Sequence, residues 1–509
     1  MSQETTANNK RIAKNTMFLY FRMILIMGVT LYTSRVILDK LGVEDYGLYQ
    51  VVGGVVGILS FLNGTLGTGT SRFLTFELGT GNENKLKRTF STAFYTHAIL
   101  ALIVIAIMET GGLWFLYHKL MIPMGRMDAC FWVFQLSLFT TFMAITQVPY
   151  TSVIMAHERM GVYAYISIYE AVSKLAICYL LSLSPIDKLI FYAIMIAFVQ
   201  LTVILFYRLY AMRNFQESTL CFIFDKKILK SLLGFTGWNI TANLAETLKL
   251  QGFLVLINMF FSPVIVASQA IANQVAQAMM QFINNFRTAI NPQIIKLYAS
   301  GERAASKKLT LDTTIYCFDM ILMLGLPAII VMDKLMHIWL VEVPEYAVVF
   351  TQWIIIRRII GTFSASFYIP MMAANKLKVN SIAAVFTGIG EFILIYFLFK
   401  LGFGPMWIQY IGVVVSIAYS MGVKPYVLYK DIDYSLKEMG ECYMTCLKVA
   451  VLSCAISIPI VFFMGDSIYF TFLKAFVSFL SVIFASYIFM DTLTRKKLVG
   501  LVLSRILNK

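Results

Sequence analysis

Residues 188–212 read KLIFYAIMIAFVQLTVILFYRLYAM. No charged side chain interrupts the stretch between Lys188 and Arg208. About 20 apolar residues cross the hydrocarbon core of a bilayer as an α-helix. A transmembrane barrel would show alternating segments of roughly ten residues instead. In lipid each backbone amide must be satisfied within its own helix or in a closed barrel, so this run predicts a membrane-spanning helix.

The same reading, carried outward, places spans near 15–38, 46–71, 89–110, 129–154, 161–183 and 188–212. A second set falls near 231–260, 264–291, 311–332, 346–373, 380–400 and 405–429, and two more near 442–464 and 467–490. Of the 509 residues, 59% are hydrophobic and 14% charged, a balance that leaves too little polar surface for a soluble domain. The expected fold is therefore an all-α polytopic membrane protein of about 14 transmembrane helices. The polar N-terminal stretch up to Lys14 and the length of the first apolar run argue against a cleavable signal peptide.

The net charge of +15 does not indicate nucleic acid, because the basic residues sit in short loops and form no basic domain. Alternate loops differ sharply. One set holds roughly 27 Lys and Arg, from Lys10 and Arg11 through Arg72, Lys226, Lys307 and Lys424 to the tail. The opposite set, Arg35, Lys40, Lys119, Arg126, Lys188, Lys334, Lys400 and Lys474, holds roughly eight. The positive-inside rule then puts both termini in the cytoplasm and requires an even number of spans. The seven Cys show no metal or disulfide spacing, and neither metal nor cofactor is expected.

Small and polar residues in the second span, Gln50, Gly53, Gly54, Gly57, Ser60, Gly64, Gly67, Thr68 and Ser71, trace one helix face. Shifted by about 220 residues, the face becomes Ala270, Asn273, Gln274, Gln277, Met280, Asn284, Arg287, Thr288 and Asn291. Each stripe runs into a Gly-containing basic turn, Gly79–Arg88 and Ser300–Lys308. Six spans per repeat is an even number, so the two six-helix lobes are expected to be parallel repeats. The expected organisation is an N-terminal lobe over 1–213, a C-terminal lobe over 214–430, and two further helices with a basic tail over 431–509. Small-residue stripes also permit close helix crossings, so packing and cavity lining both remain open for the second span. The amide-rich stripe of the eighth span points to a wet surface.

Ionisable groups at membrane depth are costly unless they face water or a partner. Arg22 lies in the first span, Glu170 and Lys174 have pairing spacing in the fifth, and Glu246 and Lys249 lie in the seventh. Arg287 is on the polar stripe, Arg357 and Arg358 diverge by about 100° in the tenth span, and Glu391 is in the eleventh. His97 reads as a packed or pore-wall residue. The surplus is cationic, which suits phosphate or an anionic sugar and disfavours organic cations.

The stretch Leu41-Gly42-Val43-Glu44-Asp45-Tyr46-Gly47-Leu48-Tyr49, followed by a Gly-rich span, resembles the opening of bacterial polysaccharide-unit (O-antigen) flippases. The fourteen-span, 6+6+2 plan is similar as well. The second-repeat counterpart, Val266-Ala267-Ser268-Gln269, departs from that pattern. The resemblance implies the multidrug/oligosaccharidyl-lipid/polysaccharide exporter superfamily and a multi-pass protein of the inner membrane. It implies movement of undecaprenyl-pyrophosphate-linked oligosaccharide from the cytoplasmic to the periplasmic leaflet by alternating access, for O-antigen or capsule synthesis. The partners implied are that lipid-linked oligosaccharide and membrane lipids, with room for a polysaccharide polymerase or chain-length regulator. Lipid II flippases of the superfamily carry an arginine in the first helix, and Arg22 sits comparably.

The substrate-binding residues expected are Arg22, Lys249, Gln277, Asn284, Arg287, Asn291, Arg357 and Arg358. A cation-coupled multidrug antiporter and a lipid II flippase are the rival functions. A membrane-embedded glycan-processing enzyme is disfavoured: no phosphate-binding Gly-x-x-x-x-Gly-Lys loop occurs, and Asp431-Ile432-Asp433 reads as an ordinary loop.

Overall fold

The computed structural model describes residues 23–490, apart from 158, 222–224, 227, 231–243, 245–246, 375 and 466, together with 495. The described residues are helical with no strand. We number the helices α1 (23–41), α2 (Val43–Thr80), α3 (Glu83–Lys119), α4 (Met127–Ala156), α5 (Gly161–Leu183) and α6 (Lys188–Asn214). They continue as α7 (Leu248–Phe260), α8 (Pro263–Ala299), α9 (Arg303–Trp339), α10 (Ala347–Ala373), α11 (Lys378–Lys400) and α12 (Trp407–Ile432). The last two are α13 (Leu436–Phe463) and α14 (Ile468–Phe489).

Eleven of these are long and apolar enough to cross a membrane. The others, α1, α7 and α8, occupy the places expected of the first, seventh and eighth spans. At 37 residues α8 has ample length, and its polar stripe is what lowers its hydropathy. Several helices overrun their apolar cores, because hydrogen bonding continues past the hydrocarbon boundary where polar side chains meet water. Thus α2 extends to Thr80 and α9 begins at Arg303.

The solvation pattern is that of a lipid-facing bundle. Where α13 meets α14, small hydroxyl residues fill the interface: Ser453, Ser457, Ser478 and Ser481 are buried, and the Ser457 and Ser481 hydroxyls lie 2.6 Å apart. Outside stand Phe462, Phe463, Phe472 and Phe476, all exposed. Water would reverse that arrangement. Small and hydroxyl residues between helices with aromatic residues outside is what packing in lipid favours.

Contacts divide the chain into two compact units, residues 1–270 with 340–344, and 271–339 with 345–509. In the first unit α4 packs on α2, α3 and α6, and α5 packs on α6. In the second, α9 packs on α10, α10 on α12, and α11 on α12. Three of these neighbour relations recur six helices on, as a parallel repeat requires: α3 with α4, α4 with α6, and α5 with α6. Point features recur too. Gly81 and Gly301 both end a helix with positive φ, at 70° and 85°, a backbone that glycine adopts without strain. Pro149 and Pro370 fall at corresponding places in α4 and α10, and Glu170 and Glu391 in α5 and α11. Helix α7 packs on the first half of α2 and so joins the first unit by contact, although the repeat aligns it with the first span.

The Gly42–Tyr49 turn has a clear physical content. Asp45 accepts from Arg126 Nε at 2.8 Å, and Arg126 Nη1 donates to Asp187 at 2.6 Å. One guanidinium thereby ties the first turn of α2 to the α3–α4 and α5–α6 loops. Burial works against charge on Asp187, but the hydrogen bonds from Arg126 and from the first turn of α6 outweigh it and hold its carboxyl below the ordinary range. Asn258, fully buried on α7, exchanges two hydrogen bonds with the backbone of Met121 in the same α3–α4 loop. The intervening loops meet separately: His157 contacts Glu217 at 2.5 Å, joining the α4–α5 and α6–α7 connections. In the first unit, odd and even connections therefore gather in two groups, as consecutive spans demand.

Gly47 has a steric role. A Cβ built there would lie 2.0 Å from the Pro263 carbonyl oxygen, a backbone atom. Gly47→Ala is expected to cost about 1–3 kcal/mol or more of stability, read as a lower unfolding temperature in detergent. Gly53→Ala, whose Cβ meets nothing within 4 Å, serves as the control. Equal unfolding temperatures for the two variants would show that this close approach does not matter.

Candidate substrate-binding surfaces

The stripe on α2 has two parts with different uses. In its first half, Gly54 and Gly57 give Gln251 of α7 room: their Cβ positions would fall 3.5 and 3.3 Å from its side chain. That is close helix packing. Farther along, Gly64, Gly67 and Ser71 line a cavity of about 890 Å³ in the first unit, between α2, α4, α5 and α6. Gln147 and Ser152 of α4, Tyr163 of α5 and Gln200 of α6 contribute polar atoms to its wall. Its size falls within the range of small-molecule sites. The two readings left open by the sequence thus each hold for one half of the helix.

Asn63 and Arg72 also line this cavity. The Asn63 carboxamide oxygen is buried without a hydrogen-bond partner. Asn63 belonged to no motif, and its only signal in the sequence was an amide within an apolar run. Arg72, assigned to a loop by hydropathy, is carried into the wall because α2 continues past it.

In the second unit the polar stripe of α8 behaves as one surface. Gln277, Gln281, Asn284 and Thr288 are exposed, whereas Ile271, Ala272, Ala276 and Ile283 on the other side are buried. Ile283 packs with Cys317 and Ile321 of α9, which fixes the rotation of the helix. Arg287 donates to the Asn284 side chain, and among the described residues no carboxylate pairs with it. Asn291 continues the same face, partly exposed.

The remaining expected residues are dispersed. Lys249 sits in a widened turn of α7, Leu248–Gly252, in the first unit; it is partly buried and has partners. Arg22, Asn239, Asn243 and Glu246 lie outside the described residues. Arg357 turns into its own bundle, where Nη2 approaches the fully buried Glu391 carboxylate at 2.7 Å and Nε donates to Ser416 at 3.3 Å. It lies across Gly412, where a Cβ would meet Nη1 at 2.5 Å. Arg358, on another side of α10, is partly buried and engaged. The Glu170–Lys174 pair expected from its spacing forms at 2.7 Å, with Gln200 donating to the same carboxylate at 3.3 Å. His97 is buried within the helix packing of α3.

One basic residue is placed differently from expectation. Lys424, counted among the loop cations, is only 3% exposed within α12, its ammonium 5.3 Å from the Tyr368 ring and 5.2 Å from the Tyr419 ring. Two aromatic faces and the remaining length of α12 hold it inside the bundle. Asp319 on α9, not singled out by the charge survey although it interrupts an apolar run, is also buried.

No protein-family model matches the sequence, and no curated protein matches it. Solved structures do. The lipid II flippase MurJ in an inward closed conformation aligns with a TM-score of 0.71 at 12% identity, over 93% of this chain and 98% of that one. This chain shares the fold of that structure. An inward-facing multidrug resistance MATE family transporter of the MOP superfamily aligns at 0.66 and 12% identity, over 81% of this chain and 99% of its own. A MOP-superfamily transporter from Pyrococcus furiosus, described as having reversed polarity in its binding pocket, aligns at 0.55 and 14% identity over 81% and 95%. At such identities the likeness concerns the fold.

Proposed function

We propose that this chain is a flippase that carries undecaprenyl-pyrophosphate-linked oligosaccharide units from the cytoplasmic to the periplasmic leaflet of the inner membrane. Both termini would lie in the cytoplasm, where the basic loops place them. The observation that carries the reading is the α8 face: a guanidinium with no carboxylate partner among the described residues, flanked by exposed Gln277, Gln281 and Asn284. Guanidinium binds phosphate oxygens through two parallel hydrogen bonds, and carboxamides donate to and accept from sugar hydroxyls. The polar wall on the repeat-related α2 supplies neutral donors and acceptors of the same kind.

Alternating access of the two repeats would expose this headgroup site to one leaflet at a time while the polyprenyl tail stays in lipid. The membrane potential or an ion gradient would drive the cycle, and a polysaccharide polymerase or chain-length regulator would receive the product. Arg357 and Arg358 enter the proposal as weaker contributors, since each already has intramolecular partners.

The test is complementation. In a bacterium lacking its own oligosaccharide-unit flippase, the chain should restore surface polysaccharide. Restored growth of a strain depleted of lipid II flippase, or resistance to organic cations without surface polysaccharide, would replace the proposed cargo with one of the two rivals.

A further inference from the structure

Asp319 stands near the middle of α9, with only 7% of its surface exposed. Its Oδ1 has no hydrogen-bond partner, and among the described residues no Lys or Arg pairs with it. Ser486 of α14, also 7% exposed, lies beside the Asp319 carboxyl. Both residues line one small cavity of about 50 Å³, closed on the third side by Thr445 of α13. Asp312, two helical turns before Asp319, shares the wall and already has a partner. An uncompensated buried carboxylate costs several kcal/mol, so a proton or a cation must join it.

From this geometry we infer that Asp319, Ser486 and Thr445 form a site for one monovalent cation, such as sodium, at the junction of α9, α13 and α14. The donors are all oxygens, as a hard cation prefers. Thr445 gives its proton to the Glu441 carbonyl, which leaves its oxygen lone pairs available. One unbalanced negative charge calls for one positive charge. A divalent ion would want more carboxylates, and no group of three or more His, Cys, Asp or Glu side chains that could hold a metal ion occurs among the described residues. A proton on Asp319 would balance the charge but leave the cavity unfilled. The cavity exceeds the roughly 10–15 Å³ that one water needs, which suffices for an ion and a water.

The position gives the site a consequence. Helices α13 and α14 fall outside the duplication, yet they pack on α9 through a common apolar cluster that includes Phe318, Leu322, Val449 and Val482. A cation here bridges the added pair to the repeat itself. Its occupancy therefore sets how firmly the pair is held.

The purified full chain in detergent, unfolded by heat at fixed pH and ionic strength, tests the site. Replacing choline chloride with NaCl or KCl should raise the unfolding temperature by a few degrees, on the order expected for a ligand well above its dissociation constant. Asp319→Asn should remove the rise. Ser486→Ala, the milder change, should move the half-saturating salt concentration upward by about tenfold. No salt-specific rise in the wild-type chain, an undiminished rise in Asp319→Asn, or an unshifted midpoint in Ser486→Ala overturns the inference. So does a transition that responds to pH alone, which would mark a proton site. Because the readout is stability, the result is independent of which cargo the protein carries.

Discussion

Arg287→Ala is expected to abolish export of lipid-linked oligosaccharide while the protein remains folded. The side chain belongs to the polar stripe of α8, is partly buried, and is bound within the chain through Asn284. Its removal opens no core cavity, since the buried side of the helix is held by Ile283 against Cys317 and Ile321. A charge-assisted hydrogen bond contributes about 1.5–3 kcal/mol, and a bidentate contact to phosphate more than one such bond. Losing it lowers transport at least about tenfold to a hundredfold at limiting substrate. Arg287→Lys should recover part of the activity, because an ammonium keeps the charge but not the planar fork. Surface polysaccharide and the unfolding temperature in detergent are measured together. Normal polysaccharide from the Ala variant removes Arg287 from the site.

Arg357→Ala should behave in the opposite way, failing through stability. Its guanidinium is 19% exposed and its partner Glu391 is not exposed at all. Deleting one member of such a pair leaves the other as an uncompensated buried charge, at about 3–5 kcal/mol. The yield of monodisperse protein and its unfolding temperature should both fall, and Glu391→Ala should match. Replacing both at once, Arg357→Met with Glu391→Leu, should restore much of the loss, because well-packed apolar residues substitute for a buried pair at little cost. If the double variant is stable yet inactive, Arg357 has a transport role beyond its structural one. If Arg357→Ala alone is as stable as the wild type, the pair does not hold the bundle.

The sequence already sets these two arginines apart in part: Arg287 stands among Asn284, Asn285 and Asn291, whereas Arg357 stands beside Arg358 in a run of isoleucines. What completes the separation is the far side of the contact. Glu391 reaches Arg357 from another helix, whereas among the described residues no carboxylate pairs with Arg287 on the α8 face.

The sequence by itself determined the helices, their approximate count, the duplication and the polar face of α8. The physical reason is local: in lipid each span satisfies its own backbone, so a run such as 188–212 carries its structure within itself. The shared interval of the two stripes was legible for the same reason, since helical periodicity needs no distant partner. Only the tertiary structure decided which polar groups are spent and which are available. It gave half of the α2 stripe to packing on Gln251 and half to a cavity, placed Arg126 between Asp45 and Asp187, and enclosed Lys424 and Asp319. Each of those outcomes depends on which residue of another helix arrives opposite, and that is fixed by the crossing of helices rather than by spacing along any one of them.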